Sequence, residues 1–180
     1  MRKIAWGAAA LALLLPLGGL AQVGARDAQG NLLPDSPSMM TRGEFSGSLL
    51  ITADPNWQQE WDAPKGEAPH FNLATEVREG GDLYILTFVS NPGLDASGMT
   101  NVRCDLKLTR PDGSMSSDDR DLPCFTEKLE SDPKRVFLTS VGLKFTAEAD
   151  DPKGTWRVAM TLHDRNRAVT LPLEASFEMR

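Results

Sequence analysis

The 180-residue chain carries 25 acidic against 19 basic side chains, a formal net charge of −6. That balance argues against nucleic acid and against an anionic membrane surface as partners, because both are bound through a basic face. Its histidines, His70 and His163, lie far apart with no second metal-binding side chain at ligand spacing, so no zinc or copper site is expected.

Met1-Arg2-Lys3 precedes an apolar run from Ile4 to Leu20 that is broken at Trp6 and Pro16, with Gly18-Gly19 near its end. This is the pattern of a secretory signal peptide over residues 1–25, with cleavage expected after Ala25 or, as second choice, after Ala21. An uncleaved anchor is the alternative, but the run falls short of the ~20 apolar residues a membrane span needs. No cysteine lies nearby to take a lipid. The remainder has the length of one ordinary domain, placed at 45–180, destined for the periplasm or secretion.

Residues 26–44 hold Gly30, Pro34, Asp35, Ser36, Pro37 and Ser38 with little periodicity and read as a flexible arm. Gly47 to Ala53 is a β-prone apolar run. It ends at Asp54-Pro55, where Asp54 suits a helix cap and Pro55 the first helical position. In the short helical turn that follows, Trp57 and Trp61 are four apart and share a face. Pro64, Lys65, Gly66 and Pro69 then force a loop or an edge strand.

Leu83 to Val89 is almost continuously apolar and predicts a central strand buried on both faces. Asn91-Pro92-Gly93 ends it. In Val102 to Leu108 the positions Val102, Cys104, Leu106 and Leu108 fall on one face, which aims the Cys104 sulfur at the core. Arg110-Pro111-Asp112-Gly113 is a tight turn, since Pro presets its φ and Gly accepts a positive one. The polar stretch Ser116 to Asp121 follows, then Leu122-Pro123-Cys124-Phe125 and two short strands at Val136–Leu138 and Leu143–Ala147. Two cysteines in an exported chain predict a structural disulfide, Cys104–Cys124, with the Pro111 to Asp121 excursion folded back over the sheet. Trp156 to His163 and Val169 to Phe177 alternate apolar with other residues around the break Asp164-Arg165-Asn166-Arg167. They read as an antiparallel hairpin with one face needing cover.

About seven strands separated by Gly, Pro and Asp turns, with almost no amphipathic helix, predict an all-β antiparallel sandwich; the alternative is a closed β-barrel with a ligand cavity. From Pro111-Asp112-Gly113, through Gly154-Thr155-Trp156-Arg157-Val158, to Phe177, the chain resembles the immunoglobulin-like and macroglobulin-type sandwiches of bacterial envelope proteins. As a whole it is similar to small exported proteins of proteobacteria. The resemblance implies architecture alone: no Cys-x-Glu-Gln thioester, bait region or tandem repeat is present to carry over protease trapping.

The sequence holds no Gly-x-Ser-x-Gly, Ser-x-x-Lys or His-Glu-x-x-His motif and no phosphate-cradling glycine loop. Neither a cofactor nor enzymatic activity is therefore expected. Ser116 to Asp121 has the oxygen ligands a calcium ion wants but not the spacing of an EF-hand loop, and His163 falls on the solvent side of its strand. What stands out is aromatic: Trp57, Trp61 and Phe71 around a proline-rich stretch are candidate binding residues, with capping of the open end of the sandwich as their structural alternative. The leading expectation is a non-catalytic periplasmic binding or accessory domain that contacts another cell-envelope protein. A small-molecule or lipid carrier and a carboxylate-dependent hydrolase are the alternatives.

Overall fold

The computed structural model describes residues 34–63 and 71–180. The expected signal peptide, residues 26–33 of the expected arm, the Pro64 to Pro69 stretch and His70 lie outside the described residues. The alternating hairpin forms as expected, with β9 (Gly154–Asp164) antiparallel to β10 (Val169–Met179) and Trp156 opposite Phe177. Its inward face is Trp156, Val158, Met160 and Leu162 on one strand and Leu171, Leu173 and Phe177 on the other, all buried. β5 (Val102–Thr109) pairs along the other side of β9, and β6 (Met115–Phe125) pairs with β5. β3 (Glu76–Val77) adds to β10 in parallel, giving the sheet order β3-β10-β9-β5-β6.

The facing sheet is built on β4 (Asp82–Ser90), which pairs with β2 (Phe45–Thr52), itself paired with β1 (Met39–Arg42). Along the other edge of β4 run two short strands in tandem, β7 (Val136–Leu138) and β8 (Leu143–Thr146). Between the sheets Trp156 and Phe177 stack with centroids 6.2 Å apart, and Phe145 lies within 5 Å of both rings, at 4.9 and 4.8 Å. The Trp156 Nε1–H donates to the Pro152 carbonyl at 3.0 Å, so the indole buries its polar atom satisfied. At Gly47 the sheets touch: a Cβ there would fall 2.6 Å from Leu162 Cδ1 and 3.3 Å from Leu171 Cδ1. The protein is an all-β sandwich of two sheets, and neither sheet closes into a barrel.

Ten strands lie among the described residues where about seven were expected, β3 not having been read at all, and three further stretches differ in kind. Part of the stretch read as a flexible arm is β1, held by the Ser36–Met39 bridge and by Leu49 N–H donating to the Ser38 carbonyl at 2.8 Å. Its half-buried residues show no clean alternation, which is why periodicity passed over it. The polar stretch Ser116 to Asp121 is not an excursion folded over the sheet but the middle of β6, an edge strand with most of its side chains in water. Charge is what protects such an edge from pairing with another chain. The helix α1 (Trp57–Asp62) begins two residues later than read: its N-cap is Asn56 in place of Asp54, and the Asp54 carboxylate accepts from the Asn56 N–H at 2.9 Å, in a turn ahead of the helix.

Candidate functional site

Because β4 alternates, Leu83, Ile85 and Val89 enter the core while Tyr84, Leu86 and Phe88 point away from it. An apolar outward row on a central strand needs a cover, and α1 supplies it. The four-residue spacing lays both tryptophans on the sheet side, Trp57 with its ring centroid 6.2 Å from that of Tyr84 and Trp61 5.2 Å from Phe88. Phe71 stacks on Phe88 from the returning segment at 5.9 Å. That segment is anchored to β2, with Ala74 N–H donating to the Ile51 carbonyl at 2.9 Å. Leu86 and Phe88 are thereby reduced to 3% and 6% exposure, whereas Trp57, Trp61 and Phe71 stay half-buried and Leu73 beside them is 73% exposed.

The three aromatic residues singled out in the sequence are thus brought together, on the outer face of the β1-β2-β4-β7 sheet and not at the open end of the sandwich. Sequence reasoning missed Tyr84 and Phe88, which complete the cluster. The signal was available: a strand read as buried on both faces requires a second cover, and the tryptophan pair was the one apolar helical face on offer. It also missed the polar rim. Lys144 Nζ lies 5.8 Å from the Tyr84 ring centroid, in cation–π range, and 2.8 Å from Asp82 Oδ2. Hydrogen bonds from Lys144 and then Thr146 hold the Asp82 carboxyl below its ordinary value, and the same carboxylate raises Lys144.

On the opposite sheet His163 does point outward, but it is not a bare imidazole. Its Nε2 lies 3.1 Å from Asp105 Oδ2 and its Nδ1 3.2 Å from Thr170 Oγ1, its direct cross-strand neighbour. Asp105 in turn accepts from the Asp121 N–H at 2.8 Å, and the Asp121 side chain pairs with Arg103 and Arg165. The acidic stretch is therefore engaged by arginines and backbone donors. Cys104 and Cys124, both fully buried, form a disulfide between the neighbouring strands β5 and β6 with Cα atoms 5.8 Å apart.

The Asp121 N–H first, and His163 after it, hold the Asp105 carboxyl below its ordinary 3.8. Asp35, Asp95, Asp112 and Asp121 are lowered too, by arginine, serine and backbone donors. A carboxyl with a depressed folded-state pKa stabilises the fold fully above its unfolded value, and that contribution is lost as pH falls through the folded one. Thermal stability should therefore be level from neutrality down to about pH 4 and fall below it. Asp105→Asn should make that acid limb shallower in a melting series, by the share of this one carboxylate; an unchanged limb would show that Asp105 contributes nothing to it.

No family model matches the chain, and no curated protein matches it. Among solved structures it is similar to the CARDB domain of the PF1109 protein from Pyrococcus furiosus, solved in complex with di-metal ions, at 14% identity and TM-score 0.41, covering 82% of this chain and 98% of that one. A family 123 glycoside hydrolase from Clostridium perfringens matches at 13% identity and TM-score 0.40 over 74% of this chain, which spans only 27% of the hydrolase. A Niemann-Pick type C2 protein from the Japanese carpenter ant matches at 8% identity and TM-score 0.37, over 74% of this chain and 89% of that one.

Proposed function

We propose that the chain is a non-catalytic binding or accessory domain of the cell envelope, which contacts a partner protein through the aromatic layer of α1 and Phe71. The observation that carries this reading is that Trp57, Trp61 and Phe71 remain half-exposed while the core between the sheets is filled without them. Aromatic rings held on a rigid sheet bury much area on binding at little entropic cost, and such residues dominate interface energetics. The Lys144–Asp82 pair beside them supplies a polar rim. The buried disulfide supports an oxidising compartment, periplasmic or extracellular. Among the described residues no helix is long and apolar enough to cross a membrane. A carrier would need an apolar cavity between the sheets, and contact at Gly47 together with the Phe145, Trp156 and Phe177 cluster favours the surface reading.

Crosslinking of the exported protein in periplasmic extract tests this. The expected result is a defined adduct that is lost in Trp57→Ala/Trp61→Ala and retained in Thr170→Ala on the opposite face. Trp57→Leu, which keeps apolar cover over Tyr84, separates recognition from folding: circular dichroism should stay native while the adduct weakens. Recovery of the protein alone under all conditions, or an adduct indifferent to both tryptophans, would overturn the proposal.

A further inference from the structure

The outer face of the β3-β10-β9-β5-β6 sheet is ordered in cross-strand rows, and two adjacent rows enclose a depression. In one, Lys107 of β5 and Glu174 of β10 flank Ala159 of β9; in the next, Thr109 and Ser176 flank Arg157. Successive outward positions on one strand lie two residues apart, so the methyl of Ala159 between long neighbours leaves a gap. The far wall is the segment at Pro37, whose carbonyl accepts from the Glu174 N–H at 2.7 Å. The result is a groove of about 340 Å³ lined by these residues.

We propose that this groove is a binding site for a small anionic group, a phosphate or a carboxylate, held between Lys107 and Arg157 with the Thr109 and Ser176 hydroxyls as further donors. Apart from Glu174, the neighbouring charged groups on this face are already engaged. Arg103 is paired with Asp121 and His163 with Asp105. Asp118, directly across from Lys107, is taken by Arg120 at 2.9 Å. Thr155 donates to the Glu178 carboxylate at 2.8 Å. Among the described residues that leaves the Lys107 ammonium and the Arg157 guanidinium without a carboxylate in ion-pair reach, in a chain with a surplus of acids. A guanidinium offers a planar fork of donors to either oxyanion, and an ammonium adds a point charge. Glu174 at the rim opposes an anion and sets the affinity low. The site lies on the opposite sheet from the aromatic layer, so its failure and that of the proposed function are separate outcomes.

The test is an amide-resolved NMR titration of the disulfide-bonded protein with inorganic phosphate, and separately with acetate, at constant ionic strength. Saturable shifts in the millimolar range are expected at Lys107, Arg157, Ala159 and Ser176. Lys107→Ala and Arg157→Gln should each weaken binding by roughly tenfold, the worth of one charge-assisted hydrogen bond. Glu174→Gln should strengthen it, which a merely structural role for these residues would not produce. Lys153→Ala, elsewhere on the surface, should change nothing. A response to phosphate alone assigns a phosphate-bearing ligand, and one to acetate alone a carboxylate. Absence of a saturable response to either probe, or a Lys107→Ala/Arg157→Gln protein that responds as the parent does, would overturn the site.

Discussion

Asp164→Ala is expected to lower stability by about 3 kcal/mol or more, because it removes a buried carboxylate on which two loops converge. Asp164 is 1% exposed. Its Oδ2 accepts from the Gly93 N–H at 2.6 Å, and its Oδ1 accepts from the Asn166 and Arg167 N–H groups at 3.1 and 3.0 Å. Arg167 then donates to the Asn91 carbonyl at 3.2 Å and reaches Glu44 at 3.1 Å, tying the β9–β10 turn of one sheet to the loop after β4 of the other. Glycine is required at 93: a Cβ there would fall 2.7 Å from Arg167 Cγ and 2.9 Å from Asn166 Cβ, too close for the N–H to reach the carboxylate. Alanine at 164 strands the Gly93 N–H in a buried position, whereas Asp164→Asn keeps one acceptor oxygen and should lose less. Urea denaturation of the two variants measures the order. A loss below about 1 kcal/mol for Asp164→Ala would show that water replaces the carboxylate without penalty.

How far the sequence could be read depended on whether a strand buries one face. Trp156 to Leu162 and Leu171 to Phe177 bury one face and expose the other, so their alternation declared both the pairing and the core. Leu83 to Val89 declared burial on two faces, correctly, and so called for an outer cover, which the Trp57 and Trp61 face of α1 supplies from earlier in the chain. β6 was illegible for the opposite reason. An edge strand with Ser116, Asp118, Asp119 and Arg120 largely in water has no continuous buried face to impose a period, and its pairing with β5 is broken by register shifts. Asp164 was hidden as well. Within Asp164-Arg165-Asn166-Arg167 it read as one polar turn residue among others, and only the arrival of Gly93 shows that it is buried.

The same contrast separates the candidate surfaces. Trp57, Trp61 and Phe71 could be singled out because aromatic residues in a proline-rich stretch are conspicuous in a sequence. Lys107, Arg157 and Ala159 are ordinary outward residues on three separate stretches of chain once Thr109 and Ser176 are added, and only the register of β5, β9 and β10 makes them neighbours. A surface site on a sheet is written across strands, where no local motif can record it.

Loss of the disulfide is the other large effect expected. Cys104 and Cys124 are 20 residues apart, and a bridge closing that loop stabilises the fold by roughly 3 kcal/mol in the chain-entropy description. Cys104→Ser adds the penalty of a hydroxyl at a fully buried position among Val102, Leu106 and Leu108, so it should be worse than Cys104→Ala. The bridge does not clamp a loop onto the sheet; it fastens the edge strand β6 to β5 at the end where the chain passes between sheets. There the Ser140 N–H donates to the Cys124 carbonyl at 2.8 Å, and the Thr100 hydroxyl donates to that of Phe125 at 3.0 Å. Reduction should therefore raise amide exchange first along Met115–Phe125, while the β9–β10 hairpin stays protected until global unfolding. Uniform exchange across both sheets would show instead that β6 and the hairpin unfold as one unit. Thiol labelling of the exported, denatured but unreduced protein decides the premise. No reactive thiol is expected, and finding both free would remove the bridge together with the support it gives to an oxidising compartment.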